Sequence, residues 1–451
     1  MILDRLELPV QAAGRRDREG QVCPAARQAR SRGRCSSARS SQPVHQTQSL
    51  QSLTPMAADA EAPLVPLFDI RLNDDEIGAV ERALRSGWLT MGPQTQTFEE
   101  AFADHLGARH GVALSSCTAA LHLAYLAAGV GPGDEVIVPA MTFVATANAV
   151  RYCGATPVFA DVIGQHDLGI DPADVEARIT EQTRAVCAVH FAGYAAPIQL
   201  LGELCDSYGL ALIEDAAHAP SATVAGGGPK LGTLGLAGTF SFFSNKVLFC
   251  GEGGLLATDD DDVAELTRRL RSHAMTSGTW DRHRGHAASY DVTGVGYNYR
   301  LDELRAALLN ARLPGLEEDI ASRRRLVRRY RRLLASVDGI TVPYRDEDVE
   351  ASSCYVMPVM VDDARLRDPL RRLMLERYRV QTSLLYPAIH EFTAYADPAR
   401  PALPHSELAA HTEVTIPLYP HLTEEDQDRV VAALAHGIVE LSAPAGAARA
   451  R

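Results

Sequence analysis

The chain has no CxxC pair and no short run of cysteine and histidine, although it carries eight cysteines in 451 residues. Structural zinc sites draw their ligands from such closely spaced pairs, so none is expected, and no metal is read from this sequence. The cysteines fall singly at 23, 35, 117, 153, 187, 205, 250 and 354, several within apolar stretches. That pattern suits reduced thiols rather than a disulfide framework. Long apolar runs are missing as well: none reaches the ~18 residues of a membrane-spanning helix, and the first residues lack the charged-then-apolar layout of a secretion signal. A basic surface is also lacking. The formal net charge is -13, with 46% apolar and 22% charged residues, the balance of an ordinary globular chain. This composition argues against a membrane or nucleic-acid partner and leads us to expect a cytoplasmic protein with a small ligand.

Residues 1–60 differ from the rest, being rich in Arg, Ser, Gln and Ala without lasting apolar periodicity. They read as a disordered extension. A basic arm is one function for it; a dispensable tail, or a stretch upstream of a true start at Met56, is the reading we prefer, since such runs are usually solvated. A large domain is expected over 61–310, a smaller one over 311–442 and a disordered tail over 443–451. Between Asp134 and Asp259 short β-branched runs alternate with turns and helical segments, the rhythm of an α/β fold with a mainly parallel sheet. The strands are placed at Glu135 to Pro139, Thr156 to Asp161, Ala185 to His190, Ala211 to Asp215, Gly238 to Phe243 and Gly254 to Thr258. A helix precedes them at Ser115 to Ala128. Another follows at Leu316 to Ala335, with Ile320, Val327, Tyr330 and Leu334 on its apolar side. Its seven arginines between Arg323 and Arg332 read as a solvated face. Beyond Gly339, strands are expected at Tyr355 to Val361 and Val380 to Leu385, with helices at Asp368 to Arg377 and Asp426 to Leu441.

Ligands of open parallel sheets gather at the carboxyl ends of the strands. Three polar residues stand there: Asp215 ends Ala-Leu-Ile-Glu-Asp, Lys246 follows Phe-Ser-Phe-Phe-Ser-Asn, and Thr118 opens a helix. Pyridoxal phosphate needs a lysine amine for a Schiff base, a carboxylate to keep its ring nitrogen protonated, and a helix N-terminus for its phosphate. Singly, a strand-end Asp is often a cap and a lone Lys is usually a surface residue. In this order, with the turn Gly251-Glu252-Gly253-Gly254 close behind the lysine, they point to that cofactor.

Over most of the chain from Pro66 to Leu441 the sequence resembles the sugar aminotransferases of the DegT/DnrJ/EryC1/StrS family, through SGWLTMGP at 86–93, SSCTAALHLA at 115–124, PAMTFVATANAV at 139–150, GATPVFADV at 154–162, IEDAAHA at 213–219, FSFFSNK at 240–246, EGG at 252–254 and GYNYRLDELRAAL at 296–308. The resemblance implies fold type I, a large sheet domain with helices on both faces and a smaller α+β C-terminal domain. It implies that Lys246 carries pyridoxal phosphate and shuttles the proton, that Asp215 pairs with the ring nitrogen, and that His218 bonds the phenolic oxygen. Phe143 would stack on the ring. Thr118, the Ala119 backbone N–H and Ser241 would hold the phosphate, and Asn298 would reach in from a second subunit of a homodimer. The activity implied is transfer of an amino group from glutamate to a keto-sugar nucleotide, at C4 rather than C3 on the evidence of TFVAT and HFAGYAAPI, in amino-sugar or glycan biosynthesis. A pyridoxamine-dependent sugar dehydratase would carry His for Lys246, and a non-catalytic regulator would lack Lys246 or Asp215; both residues are present. Tyr386 and His390 fall in a partial match to a Tyr-x-Pro-Leu-His pattern near the substrate mouth. His273, His283 and His286 fit no common zinc spacing, Arg282 and Arg284 read as solvated loop charges, and His190 either lines the site or fills the core.

Overall fold

The structure, a computed structural model, describes residues 63–276, 289–397 and 401–443. The expectations for 1–60, for the tail after 443, and for Arg282, His283, Arg284 and His286 lie outside the described residues. Twelve strands occur among the described residues: β1 (His110–Leu114), β2 (Glu135–Pro139), β3 (Thr156–Ala160), β4 (Val162–Gly164), β5 (Asp167–Ile170), β6 (Thr183–Val189), β7 (Ala211–Asp215), β8 (Ala237–Ser241), β9 (Gly254–Thr258), β10 (Ile340–Thr341), β11 (Met357–Val361) and β12 (Glu413–Ile416). Seven form one sheet in the order β1-β9-β8-β7-β6-β2-β3. The pairs β7·β8, β6·β7, β2·β6 and β2·β3 are parallel, and only β9 runs against its neighbours β1 and β8.

Alternation along the strands explains how this sheet supports two cores. Ile137, Val186, Ala188 and Leu212 pack into one apolar cluster, while Val136, Val138, Ala185, Cys187 and Ile213 pack into another. Successive side chains leave opposite faces of a strand, so a sheet covered on both sides needs unbroken apolar runs. The sequence supplies them in Thr-Arg-Ala-Val-Cys-Ala-Val and Gly-Leu-Leu-Ala-Thr.

A second sheet, β10-β11-β12, is antiparallel throughout. Helix Leu316–Leu334 buries Ile320, Val327, Tyr330 and Leu334, the side read as apolar. Its arginines are not the solvated face expected: Arg323 is buried with Nη1 on the carbonyls of Tyr355 and Leu418, Arg328, Arg329 and Arg331 pair with Glu350, Asp428 and Asp346, and only Arg325 and Arg332 are exposed.

The stretch Val380 to Leu385 is not a strand; it makes single bridges, Val65 to Val380 and Ser383 to Thr415. Its Leu385 N–H goes to the Glu413 carboxylate instead of a neighbouring backbone, and Pro387 has no N–H to continue a ladder. Strands β1, β4, β5, β10 and β12 lie outside the expected set; β1 is fully paired to the reversed strand β9 and β12 to β11.

Candidate active site

The carboxyl ends of β7 and β8 and the start of helix Cys117–Ala127 converge on one cavity of about 420 Å³. Asp215 is the last residue of β7 and is buried. Its Oδ2 accepts from Thr146 Oγ1 at 2.9 Å and its Oδ1 from the Ala217 N–H at 3.2 Å. Burial raises the carboxyl pKa, and those two donors work against the rise. The result is a fixed carboxylate with enhanced affinity for a proton.

Lys246 ends the turn after β8, its backbone N–H on the Phe243 carbonyl at 2.9 Å. The side chain is 9% exposed, and Nζ lies 4.3 Å from the centroid of the Tyr355 ring. Burial pulls the amine pKa down to about 8, opposed by Cys117 and Asp215. Among the described residues no ion pair or hydrogen bond holds this amine. It is therefore a nucleophile in waiting: partly deprotonated near neutral pH and uncommitted.

His218 lies on the loop after β7 and is buried, with its ring stacked on Tyr355 at a centroid distance of 4.4 Å. Nδ1 accepts from the Ala192 N–H at 3.3 Å and Nε2 is 3.0 Å from the Tyr386 hydroxyl. Burial, with Lys246 nearby, holds its pKa well below the usual histidine value. Phe143 is 52% exposed and lines the cavity, so its ring is free to cover a planar ligand.

The helix start is brought close by a glycine. A Cβ on Gly254 would stand 2.3 Å from the Ser116 carbonyl carbon and 2.4 Å from the Cys117 nitrogen. Only glycine lets β9 lie this near the turn that opens the helix. Ser116 caps that helix, its Oγ accepting the Ala119 N–H at 3.1 Å. Thr118 and Ser241 line the cavity beside it.

Of the residues singled out from sequence, Thr118, Phe143, Asp215, His218, Ser241 and Lys246 line this one cavity. Ala119 does not, and its N–H is already engaged by Ser116. Asn298 is exposed, bridges Ser272, and also lies off the cavity. His190 is wholly buried between Glu214 and the Ala196 N–H, so it fills the core. His390 is wholly buried too, 3.4 Å from Glu407, whereas Tyr386 of the same motif reaches the cavity. His273 belongs to no group of metal-ligating side chains among the described residues. Thr146 and Tyr355 were not singled out. Thr146 stands in the quoted PAMTFVATANAV stretch, but nothing local marks it as the Asp215 anchor. No sequence signal marked Tyr355.

These residues fit pyridoxal phosphate: an uncommitted buried amine, an anchored carboxylate with raised proton affinity, and a capped helix N-terminus flanked by two hydroxyl residues. Comparison with known proteins agrees. The spore coat polysaccharide biosynthesis protein SpsC of Bacillus subtilis is 36% identical over 369 residues, 80% of this chain and 94% of SpsC. The crystal structure of the aminotransferase TlmJ from Streptoalloteichus hindustanus superposes with a TM-score of 0.77 at 34% identity, covering 84% of this chain and all of TlmJ. NtdA from Bacillus subtilis, solved with bound cofactor PMP, superposes with a TM-score of 0.74 at 30% identity, covering 86% of this chain and 87% of NtdA. Residues 71–435 match the family profile itself, and the chain belongs to the DegT/DnrJ/EryC1/StrS aminotransferase family, a sugar aminotransferase family of fold type I enzymes that work with pyridoxal phosphate.

Proposed function

We propose that this enzyme moves an amino group from glutamate to the ketone of a nucleotide-linked sugar, at C4, in the biosynthesis of an amino sugar or surface glycan. The observation that carries the reading is the uncommitted Lys246 amine in the same cavity as the anchored Asp215 carboxylate. SpsC, a polysaccharide biosynthesis protein by name, supports a sugar as acceptor. The presence of Lys246 favours transamination over the dehydratase chemistry of members with histidine at this position.

Bound pyridoxal phosphate supplies an aldehyde for an amine to capture and a ring that withdraws electrons from a breaking C–H bond. The chain supplies the rest. Asp215, held by Thr146 and Ala217, keeps a proton at the ring nitrogen. Phe143 covers the ring face, while Thr118 and Ser241 hold the phosphate at the helix start. Lys246 takes a proton from the substrate carbon and returns it, for which a pKa of about 8 suits work near neutral pH. Water is kept back by Leu121, Val189 and Leu385 in the cavity wall. We assign the work to a cytoplasmic homodimer in which the 61–310 domain holds the cofactor and the 311–442 domain contributes Tyr355 and Tyr386. Asn298 would serve the partner's site.

The test is the visible spectrum of the protein with added pyridoxal phosphate, before and after glutamate, followed by a panel of 3-keto and 4-keto sugar nucleotides. A band that glutamate abolishes and a 4-keto sugar restores is the expected result. Restoration by 3-keto sugars alone would overturn the regiochemistry. An unmoved band would rule out glutamate as donor.

A further inference from the structure

We propose that Tyr386 is a catalytic residue: its hydroxyl gives the hydrogen bond to the phenolic oxygen of bound pyridoxal phosphate, and His218 stands behind it as a positioning residue. The inference rests on the reading above that the cofactor ring lies with its nitrogen at Asp215.

His218 Nδ1 faces the Ala192 N–H at 3.3 Å, so Nδ1 accepts and carries no hydrogen. A buried imidazole beside Lys246 is neutral, and its one hydrogen then sits on Nε2. Nε2 is 3.0 Å from the Tyr386 hydroxyl and donates to it. The imidazole has thus spent its hydrogen, and the hydroxyl, having accepted one, still has its own to give. No second acceptor within the described residues takes it, and Tyr386 lines the cavity. What this wall offers a ligand is the tyrosine O–H.

The surroundings fix where that O–H points. Ala192 adopts a left-handed backbone with φ 56°, uncommon for a residue with a side chain, while its N–H meets His218. The Tyr386 ring lies 5.4 Å from Phe143 and nearly parallel to His218. Its backbone is held from β12: Glu413 Oε2 accepts the Leu385 N–H at 2.7 Å, and Ser383 exchanges two bonds with Thr415 at 3.0 and 2.9 Å. The titratable groups facing the hydroxyl are Tyr355, Asp215, Glu413 and Cys117, besides His218. Burial first, then these neighbours, keep the phenol protonated and able to donate.

Two measurements test the proposal. In the cofactor-free protein, nitrogen NMR of labelled histidine should show His218 neutral with its hydrogen on Nε2; a hydrogen on Nδ1 would overturn the assignment. In the loaded enzyme, Tyr386→Phe should shift the pH midpoint of the cofactor's visible band by about one unit, as expected when a hydrogen bond to a charged oxygen is lost. Once the hydroxyl is gone, adding His218→Ala should shift it little further. If Tyr386→Phe leaves the midpoint in place while His218→Ala moves it, His218 is itself the donor and the proposal fails with the cofactor orientation intact. If neither variant moves the midpoint, the orientation of the ring is wrong and the proposal falls with it.

Discussion

Lys246 owes its reactivity to burial, which disfavours the ammonium form and brings the pKa to about 8. The attaching species is the free amine, so the rate at which pyridoxal phosphate joins the protein should rise with pH and level off above about 8. Stopped-flow absorbance between pH 6 and 10 checks this, and a rate flat across that range would contradict a lowered lysine pKa. Lys246→Ala should fold, hold little covalent cofactor and lose turnover, as mass spectrometry and a steady-state assay would show. Thr146 bears on the other end of the ring. It donates to Asp215 at 2.9 Å, and a hydrogen bond to a charged group is worth about 1.5–3 kcal/mol. Thr146→Val should therefore weaken cofactor binding by about ten- to a hundredfold with the fold intact; equilibrium titration with unchanged affinity would show that Asp215 does not depend on it. Asp215 and Lys246 could be read from sequence because each closes a short apolar run. Thr146 and Tyr355 come from distant segments, and only folding brings them beside those two, whereas Tyr386 shows in the sequence only through a partial motif match near the substrate mouth.

Elements were most legible where both faces are covered. The runs of β2, β7 and β9 give strands with the expected ends because each is too short for a helix and follows a glycine turn, at Gly133, Gly209 and Gly253. β12 was hidden by its own chemistry: it opens on a charged residue, Glu413, directly after helix Pro404–Thr412. That glutamate is 1% exposed, and burial pushes its pKa up to about 8, against bonds from Thr415 and Leu385 that lower it. Below about pH 4.5 the carboxyl is protonated folded or unfolded; above that the unfolded chain releases the proton and the folded one retains it until about pH 8. Stability is thus lost as pH rises through this window. Glutamine keeps an acceptor for the Leu385 N–H and cannot titrate. Glu413→Gln should gain on the order of 4 kcal/mol over the wild type between pH 4.5 and pH 8, read from urea unfolding at both values. An equal difference at the two pH values would mean that Glu413 folds ionised.

At the scale of the whole molecule, Asn298 in its proposed role ties catalysis to assembly. It is exposed and away from the cavity of its own chain, with its backbone bridged to Ser272. Nothing among the described residues of one chain gives it a role in catalysis, whereas a two-fold symmetric pair can carry a residue of one copy into the other's site. Subunit mixing decides between these. A dimer of Lys246→Ala with Asn298→Ala has both lesions in one site and neither in the other if Asn298 serves its partner. If Asn298 acts within its own chain, each site carries one lesion and none is whole. Random reassembly of equal amounts makes about half of the dimers mixed, each with one sound site of two. Activity should then return to about a quarter of the wild-type rate from two variants that are each nearly inactive. Both variants must first be shown to dimerise, by sedimentation, so that a failure to assemble is not mistaken for a failure to complement. With assembly confirmed, no recovery would place Asn298 outside the partner's site and remove the reason for sharing sites between subunits.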